Sequence, residues 1–141
     1  MFDTGSLRAP TRWMPSASQL RRGRALMARE LKRPGNMKIR VFAKRAKKST
    51  YQIIQDLRSA RLLSLSLGHF ATHIPDWQLI GIKRRLTRLV LMQASNVDEW
   101  TLYYALSSPH DELRGRAAVD VVTFSNLSRV LALVLSDLGF H

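Results

Sequence analysis

The sequence predicts a mainly helical protein, in which a winged helix-turn-helix with a short β-hairpin is followed by a small C-terminal helical bundle. Three observations predict this class. Two short apolar helical periods flank a capping-box motif at Ser49, a strictly alternating segment follows at 63–67, and amphipathic helical periods fill most of the remainder. The chain has 141 residues, 45% hydrophobic and 23% charged, which are globular proportions.

Positive charge is concentrated in the first third of the chain. Residues 1–48 carry 14 basic and 2 acidic residues, a net charge of +12, whereas residues 49–141 carry 9 basic and 8 acidic residues. This asymmetry predicts an acidic partner, either nucleic acid or an anionic membrane surface, with a basic solubilising tail as the alternative. The absence of cysteine excludes a disulfide scaffold, a thiolate zinc site and a cysteine nucleophile. It is compatible with a reducing compartment, and we expect a cytoplasmic protein.

The first elements are a basic arm and a basic helix. Residues 1–16 contain Gly, Pro and Ser without an apolar period, which indicates a disordered arm, although their Arg content also resembles a mitochondrial transit peptide. Residues 17–35 form a basic amphipathic helix that should end at Pro34-Gly35. No apolar run in the chain approaches the roughly 18 residues of a membrane helix, so no membrane-spanning segment is expected. Of the two acidic partners we favour nucleic acid, and no membrane partner is expected.

Residues 36–77 are interpreted as the DNA-binding domain. Apolar residues at helical spacing predict a short helix over 37–46, and Ser49 with Gln52 has the form of a capping box at the start of a second helix. Two helices joined by a tight turn define a helix-turn-helix, whose second helix reads base edges in the major groove. A plain helical hairpin with a solvated basic face is the alternative. The residues predicted to contact DNA are Lys44, Arg45, Lys47, Lys48, Ser49, Thr50, Tyr51, Gln55, Arg58 and His69.

A β-hairpin is predicted directly after the second helix. The segment 63–67 alternates Leu with Ser, Gly68-His69 supplies a turn, and residues 70–74 return as a second strand until Pro75. This hairpin would be the wing. His69 and His73 make a weak case for a metal site because no cysteine or carboxylate cluster completes it, so no metal is expected.

Residues 78–141 are predicted to form a helical domain for partner binding and dimerisation. The pattern gives one helix from Trp77, a second capped by Asn96 and Glu99, a helical turn at 119–122, and a last helix closed by Gly139. The last helix is apolar on more than one side, so it is either central to the core or covered by another chain. We favour a protein interface.

Two parts of the chain resemble known families. The runs Trp100-Thr-Leu-Tyr103, Leu106-Ser-Ser-Pro-His-Asp-Glu-Leu113 and Gly115-Arg-Ala-Ala-Val-Asp-Val-Val122, with the closing helix, resemble the toxin-binding domain of Xre/MbcA/ParS-type antitoxins. The residues at 42–78, ending in Ile74-Pro-Asp-Trp-Gln78, are similar to excisionase- or MerR-like winged modules. The antitoxin family commonly has a proline where this chain has Ala117-Ala118. The resemblance and the apolar pattern of the last helix together assign nine residues to partner binding: Trp100, Tyr104, Leu113, Gly115, Arg116, Leu131, Val134, Leu135 and Leu138.

The resemblance implies an antitoxin of a type II toxin–antitoxin system. Such a protein neutralises a RES-type, NAD-consuming toxin by direct binding and represses its own operon through operator DNA. A homodimer is expected because a short recognition helix gains affinity from two half-sites. The alternatives are a DNA-binding regulator without a toxin and a non-specific nucleic-acid or membrane-surface protein. Because the carboxylates are scattered and no phosphate loop or catalytic triad can be assembled, we expect no enzymatic activity, no catalytic residues and no cofactor.

Overall fold

The computed structural model describes residues 16–140, so the arm predicted over 1–16 lies outside the described residues except for Ser16. The chain divides into two compact units, Met1–Lys32 and Arg33–His141. Within the described part the chain is mainly helical, with two small two-stranded antiparallel sheets. The predicted helical class is therefore confirmed. No helix in that part is both long and apolar enough to cross a membrane.

The first helix, α1, runs over Ala17–Leu31. It begins where the sequence predicts but ends four residues before the predicted limit at Gly35, and the Lys32 N–H bonds back to the Ala28 carbonyl at 3.2 Å. The helix ends before Pro34 because a proline disfavours helical backbone in the residue that precedes it.

A strand and two short helices follow: β1 (Asn36–Lys38), α2 (Ile39–Ala46) and α3 (Thr50–Arg58). The predicted helix over 37–46 is wrong at its first two residues, which are extended because Met37 pairs with Ile74. The two helices pack through one apolar cluster, formed by Phe42, Ala43, Ile53, Leu62 and Ile74.

The predicted hairpin is wrong in its extent. Strand β2 covers only His73–Pro75, and it pairs antiparallel with β1 rather than along 63–67. On its other side a single bridge remains, in which Leu65 and His73 exchange N–H···O bonds of 2.8 and 3.0 Å. The alternation of burial is as predicted, because Leu65 is buried and Ser66 is exposed.

Side chains occupy the hydrogen-bonding positions that a longer ladder would need. The Gln78 amide, fully buried, accepts from the Leu63 N–H at 2.7 Å and donates to the Leu63 carbonyl at 2.9 Å. The Ser66 N–H donates to the Glu99 carboxylate at 2.7 Å, and the Trp100 indole donates to the Ser66 carbonyl at 2.9 Å. The backbone groups of Leu63 and Ser66 are thus satisfied by side chains rather than by a second strand.

The remaining described residues are mainly helical, with one small sheet. A 3-10 helix at Asp76–Leu79 leads into α4 (Gly81–Gln93), and α5 (Glu99–Ser107), α6 (Ala118–Val121) and α7 (Leu127–Asp137) follow. Strands β3 (Pro109–His110) and β4 (Arg116–Ala117) pair around a 3-10 helix at Asp111–Leu113.

Two helix ends in this region test the sequence pattern. The cap of α5 is Asp98, not Asn96, because the Asp98 carboxylate accepts from the N–H groups of Trp100 and Thr101 at 3.1 and 3.2 Å. The end of α7 is as predicted. Gly139 has φ 93° and the Phe140 N–H bonds back to the Leu135 carbonyl at 2.8 Å, which is a Schellman motif.

The predicted division between 36–77 and 78–141 falls inside one compact unit. Trp77 stacks on Tyr103 with ring centroids 5.6 Å apart, and its indole donates to the Thr87 hydroxyl at 2.9 Å. The Asn36 amide of β1 donates to the Tyr103 hydroxyl at 3.3 Å. Buried polar and aromatic contacts therefore connect the two predicted parts.

Candidate nucleic-acid interface

The start of α3 is fixed by a capping box. The Ser49 hydroxyl accepts from the Gln52 N–H at 3.1 Å, and the Gln52 amide oxygen accepts from the Ser49 N–H at 2.9 Å. These bonds satisfy two backbone donors that the helix itself leaves unpaired. The capping box predicted from the sequence is confirmed, and it holds the first turn of α3 in a defined direction.

The turn between α2 and α3 spans only three residues, 47–49, and contains a left-handed lysine. Lys47 has φ 59° and ψ 41°, a conformation that favours glycine. The Lys48 N–H bonds to the Ala43 carbonyl at 2.9 Å and the Lys47 N–H bonds to the Lys44 carbonyl at 3.2 Å. This Schellman closure reverses the chain tightly, so that both helices bury their apolar sides in one cluster.

One face of α3 presents polar and aromatic side chains to solvent. Tyr51, Gln55 and Arg58 are spaced by four and three residues, so they lie on one stripe of the helix, and all three are exposed. Tyr51 is 70% exposed, which is unusual for a large aromatic side chain. Ser49 and Thr50 are exposed at the N-terminal end of the helix. The structure therefore places all five predicted base-reading residues in solvent.

Cations surround this helix start, and they are not equivalent. Lys44, Arg45 and Lys47 are exposed and make no ion pair within residues 16–140. Lys48 instead pairs with Asp56 of α3, with 3.2 Å between its Nζ and the carboxylate oxygen. The sequence interpretation missed this pair, which offsets part of the Lys48 charge.

The predicted wing residue His69 is exposed in a turn beside Gly68, which has φ 54°. The turn is closed by a bond from the Phe70 N–H to the Leu67 carbonyl at 3.0 Å. His73 is different, because its ring is buried and its Nδ1 lies 2.7 Å from the Ala71 carbonyl. Among residues 16–140 no three His, Asp or Glu side chains group as metal ligands would.

A groove that the sequence interpretation missed adjoins the turn. Its volume is about 910 Å³, and it runs between the end of α2 with the following turn and the exposed side of α4. The basic side chains that line it are Arg45, Lys47, Lys48, Arg61, Arg84, Arg85 and Arg88. In the sequence the arginines of α4 have the spacing of an ordinary solvated face. Only the tertiary fold brings them opposite the turn.

The residues predicted for partner binding separate into buried and exposed groups. Trp100, Leu113, Val134 and Leu135 are covered by the chain itself, and Val134 has no exposed surface. These four side chains therefore belong to the core of the chain, and their assignment to a partner interface is wrong. Leu131 and Leu138 are half-buried, whereas Tyr104, Gly115 and Arg116 are exposed.

One carboxyl near this region has a shifted pKa. Burial raises the pKa of the Glu99 carboxyl above its ordinary value and neighbouring Asp98 acts in the same direction, while the hydrogen bond from the Ser66 N–H opposes them. Glu99 serves as the acceptor for a loop N–H, which is a structural role.

Comparison with family models, with curated proteins and with solved structures finds no match for this chain. Its own geometry therefore carries the functional argument.

Proposed function

We propose that residues 36–77 form a winged helix-turn-helix that binds double-stranded DNA, with α3 as its recognition helix. The observation that carries the proposal is the exposed stripe of Tyr51, Gln55 and Arg58 on a helix whose start is held by a capping box. Exposed cations flank that start. A helical hairpin of purely structural purpose has no need of a 70% exposed tyrosine on the same stripe.

The stripe has the chemistry and length of a base-reading surface. Gln pairs with adenine and Arg with guanine through two hydrogen bonds each, while the Thr50 methyl group can contact a thymine methyl. From Tyr51 to Arg58 the helix rises about 10 Å, which is about three base-pair steps of B-form DNA. A single copy would thus read a short half-site, and two copies would read a pair of them.

The remaining exposed residues fit contacts to phosphate. Lys44, Arg45 and Lys47 lie just before the recognition helix, where Lys and Arg side chains fix the register of such a helix on the duplex. The loop from Leu65 to His73 would act as the wing, with His69 at its tip directed to a neighbouring phosphate. Support for the wing comes from the Leu65–His73 bridge that holds the two sides of the loop together.

In cellular terms we propose a regulator of antitoxin type that represses its own operon and neutralises a RES-type toxin. The resemblance of residues 100–122 supports the second role. The exposed residues Tyr104, Gly115 and Arg116 are those of the predicted set that a toxin could touch without unfolding the chain. A regulator without a toxin remains the second candidate.

DNA binding is tested by selecting duplexes from a random pool with the purified full-length chain, then measuring affinities by fluorescence anisotropy over a series of salt concentrations. Arg58→Ala should lose about 1–3 kcal/mol at one base pair of the selected site and little elsewhere. Lys44→Ala with Arg45→Ala should weaken binding to every duplex and reduce the salt slope by about two. Arg129→Ala, which removes one exposed charge from α7, is the matched control for Arg58→Ala, and Arg114→Ala with Arg129→Ala is the control for the double variant. Selection that yields no preferred sequence would favour a non-specific binder.

Toxin neutralisation is tested by co-expression. The chain should restore growth to cells that produce a RES-type toxin encoded beside its gene, and Tyr104→Ala with Arg116→Ala should remove that rescue while leaving DNA binding intact. Failure of the unaltered chain to rescue growth would leave the regulator without a toxin as the conclusion.

A further inference from the structure

The groove between the turn and α4 has a composition that base or phosphate contact does not explain. Seven cationic side chains and one carboxylate line it, a local net charge of +6. The carboxylate, Asp56, already lies 3.2 Å from Lys48 and 3.9 Å from Arg61. Converging cations in a concave surface concentrate positive potential, so the groove favours an anionic occupant.

Apolar side chains share the same surface. Met92 is 64% exposed and Phe124 is 80% exposed, and both line the groove beside the arginines of α4. Behind them the lining includes Leu79 and Leu89, which are half-buried. Exposed large apolar side chains gain free energy only when an apolar partner covers them. A duplex backbone offers charge but no comparable apolar surface.

We propose that this groove binds an acidic segment of a protein partner that also carries apolar side chains. Its carboxylates would pair with Arg84, Arg85 and Arg88, and its apolar side chains would cover Met92 and Phe124. A second copy of this chain is a poor occupant, because each copy has a net charge of +13. A single-stranded nucleic acid fits less well, because among residues 16–140 only one exposed aromatic side chain, Phe124, lines the groove, whereas such sites stack successive bases on several.

Arg45 and Lys47 line this groove and are also proposed phosphate contacts. A peptide in the groove should therefore compete with a duplex. The predicted competition with DNA rests on the proposed function, whereas the docking site itself does not.

The test uses fluorescein-labelled probes and the full chain. The probes are a synthetic peptide of about 15 residues in which Glu alternates with Leu and Phe at helical spacing, a polyglutamate of equal charge, and an oligothymidylate of equal charge. By anisotropy, the amphipathic peptide should bind about tenfold more tightly than either of the others. Equal binding of polyglutamate would reduce the groove to a charge effect and overturn the proposal. Tighter binding of oligothymidylate that Arg85→Glu with Arg88→Glu abolishes would assign the groove to nucleic acid and overturn it as well.

Two variants locate the site. Arg85→Glu with Arg88→Glu should weaken the peptide about tenfold or more, and Phe124→Ser should weaken the amphipathic peptide but not polyglutamate. All three side chains are exposed, so the fold should tolerate the changes. Arg114→Glu with Arg129→Glu, both exposed and outside the groove, is the control of equal charge change for the arginine variant. Unchanged affinity in both groove variants would overturn the proposal even if the chain still binds DNA. If peptide binds but does not displace a duplex, the docking site stands and the shared DNA surface fails.

Discussion

Replacing Lys47 by glycine separates the stability of the turn from its charge. A non-glycine residue in the left-handed region costs about 1–2 kcal/mol, and Lys47 occupies that region with φ 59°. Glycine removes this cost but adds about 0.4–1 kcal/mol of conformational entropy to the unfolded chain. The net expectation for Lys47→Gly is a gain of about 0.5–1 kcal/mol in the free energy of unfolding, which is about 2–4 °C in Tm.

The same substitution should weaken DNA binding, since it removes one proposed phosphate contact and about one unit from the salt slope. Lys47→Ala is the matched control, because it removes the same charge and keeps the backbone strain. Urea denaturation and duplex anisotropy on both variants give the comparison. Equal stability of the glycine and alanine variants would refute the left-handed assignment, and unchanged duplex affinity in both would remove Lys47 from the interface.

Three further predictions concern local contacts. Ser49→Ala should lower the free energy of unfolding, measured in urea, by about 1 kcal/mol. Adding Gln52→Ala to that variant should cost little more, because the two side chains form one capping box. A fully additive loss of stability would contradict the reciprocal cap. Gln78→Leu should lower the free energy of unfolding by about 2–4 kcal/mol, because the buried N–H and C=O of Leu63 are left unpaired. A variant as stable as the wild type would contradict this role of Gln78. The folded chain holds the Glu99 proton more tightly than the unfolded chain, so the wild type loses stability as pH rises from 4.5 through the raised pKa. The Tm of Glu99→Gln should therefore rise relative to the wild-type Tm between acidic and neutral pH. Curves of Tm against pH that run parallel for the two proteins would contradict this prediction.

Local signals in the sequence predict the helices around the turn. The capping box and the closing Gly139 depend on residues a few positions apart, so their geometry follows from the pattern alone. The alternation at 63–67 predicts which side chains are buried but not what the backbone bonds to. Gln78 and Glu99 are 15 and 33 positions away from their loop partners, and nothing local indicates them.

The candidate site divides in the same way. Exposure of Tyr51, Gln55 and Arg58 follows from the helical period of α3. The groove does not, because it depends on α4 packing opposite the turn, which no residue pattern within either segment specifies. The apolar last helix illustrates a third case. Its pattern is equally typical of a core and of an interface, and only the enclosure of Val134 by other elements decides between them.

The stacked Trp77 and Tyr103 rings, together with the Asn36 amide, have a practical consequence for dissection of this protein. A fragment that stops after residue 77 would keep α3 but lose Tyr103, and with it the hydrogen-bond partner of Asn36 in β1 and the stacking partner of the Trp77 indole. It would also lose Gln78, Glu99 and Trp100, whose side chains bond to the backbone of Leu63 and Ser66. A loss of the proposed DNA binding in such a fragment would then not assign that binding to α3, so point substitutions are the better way to assign function to each half.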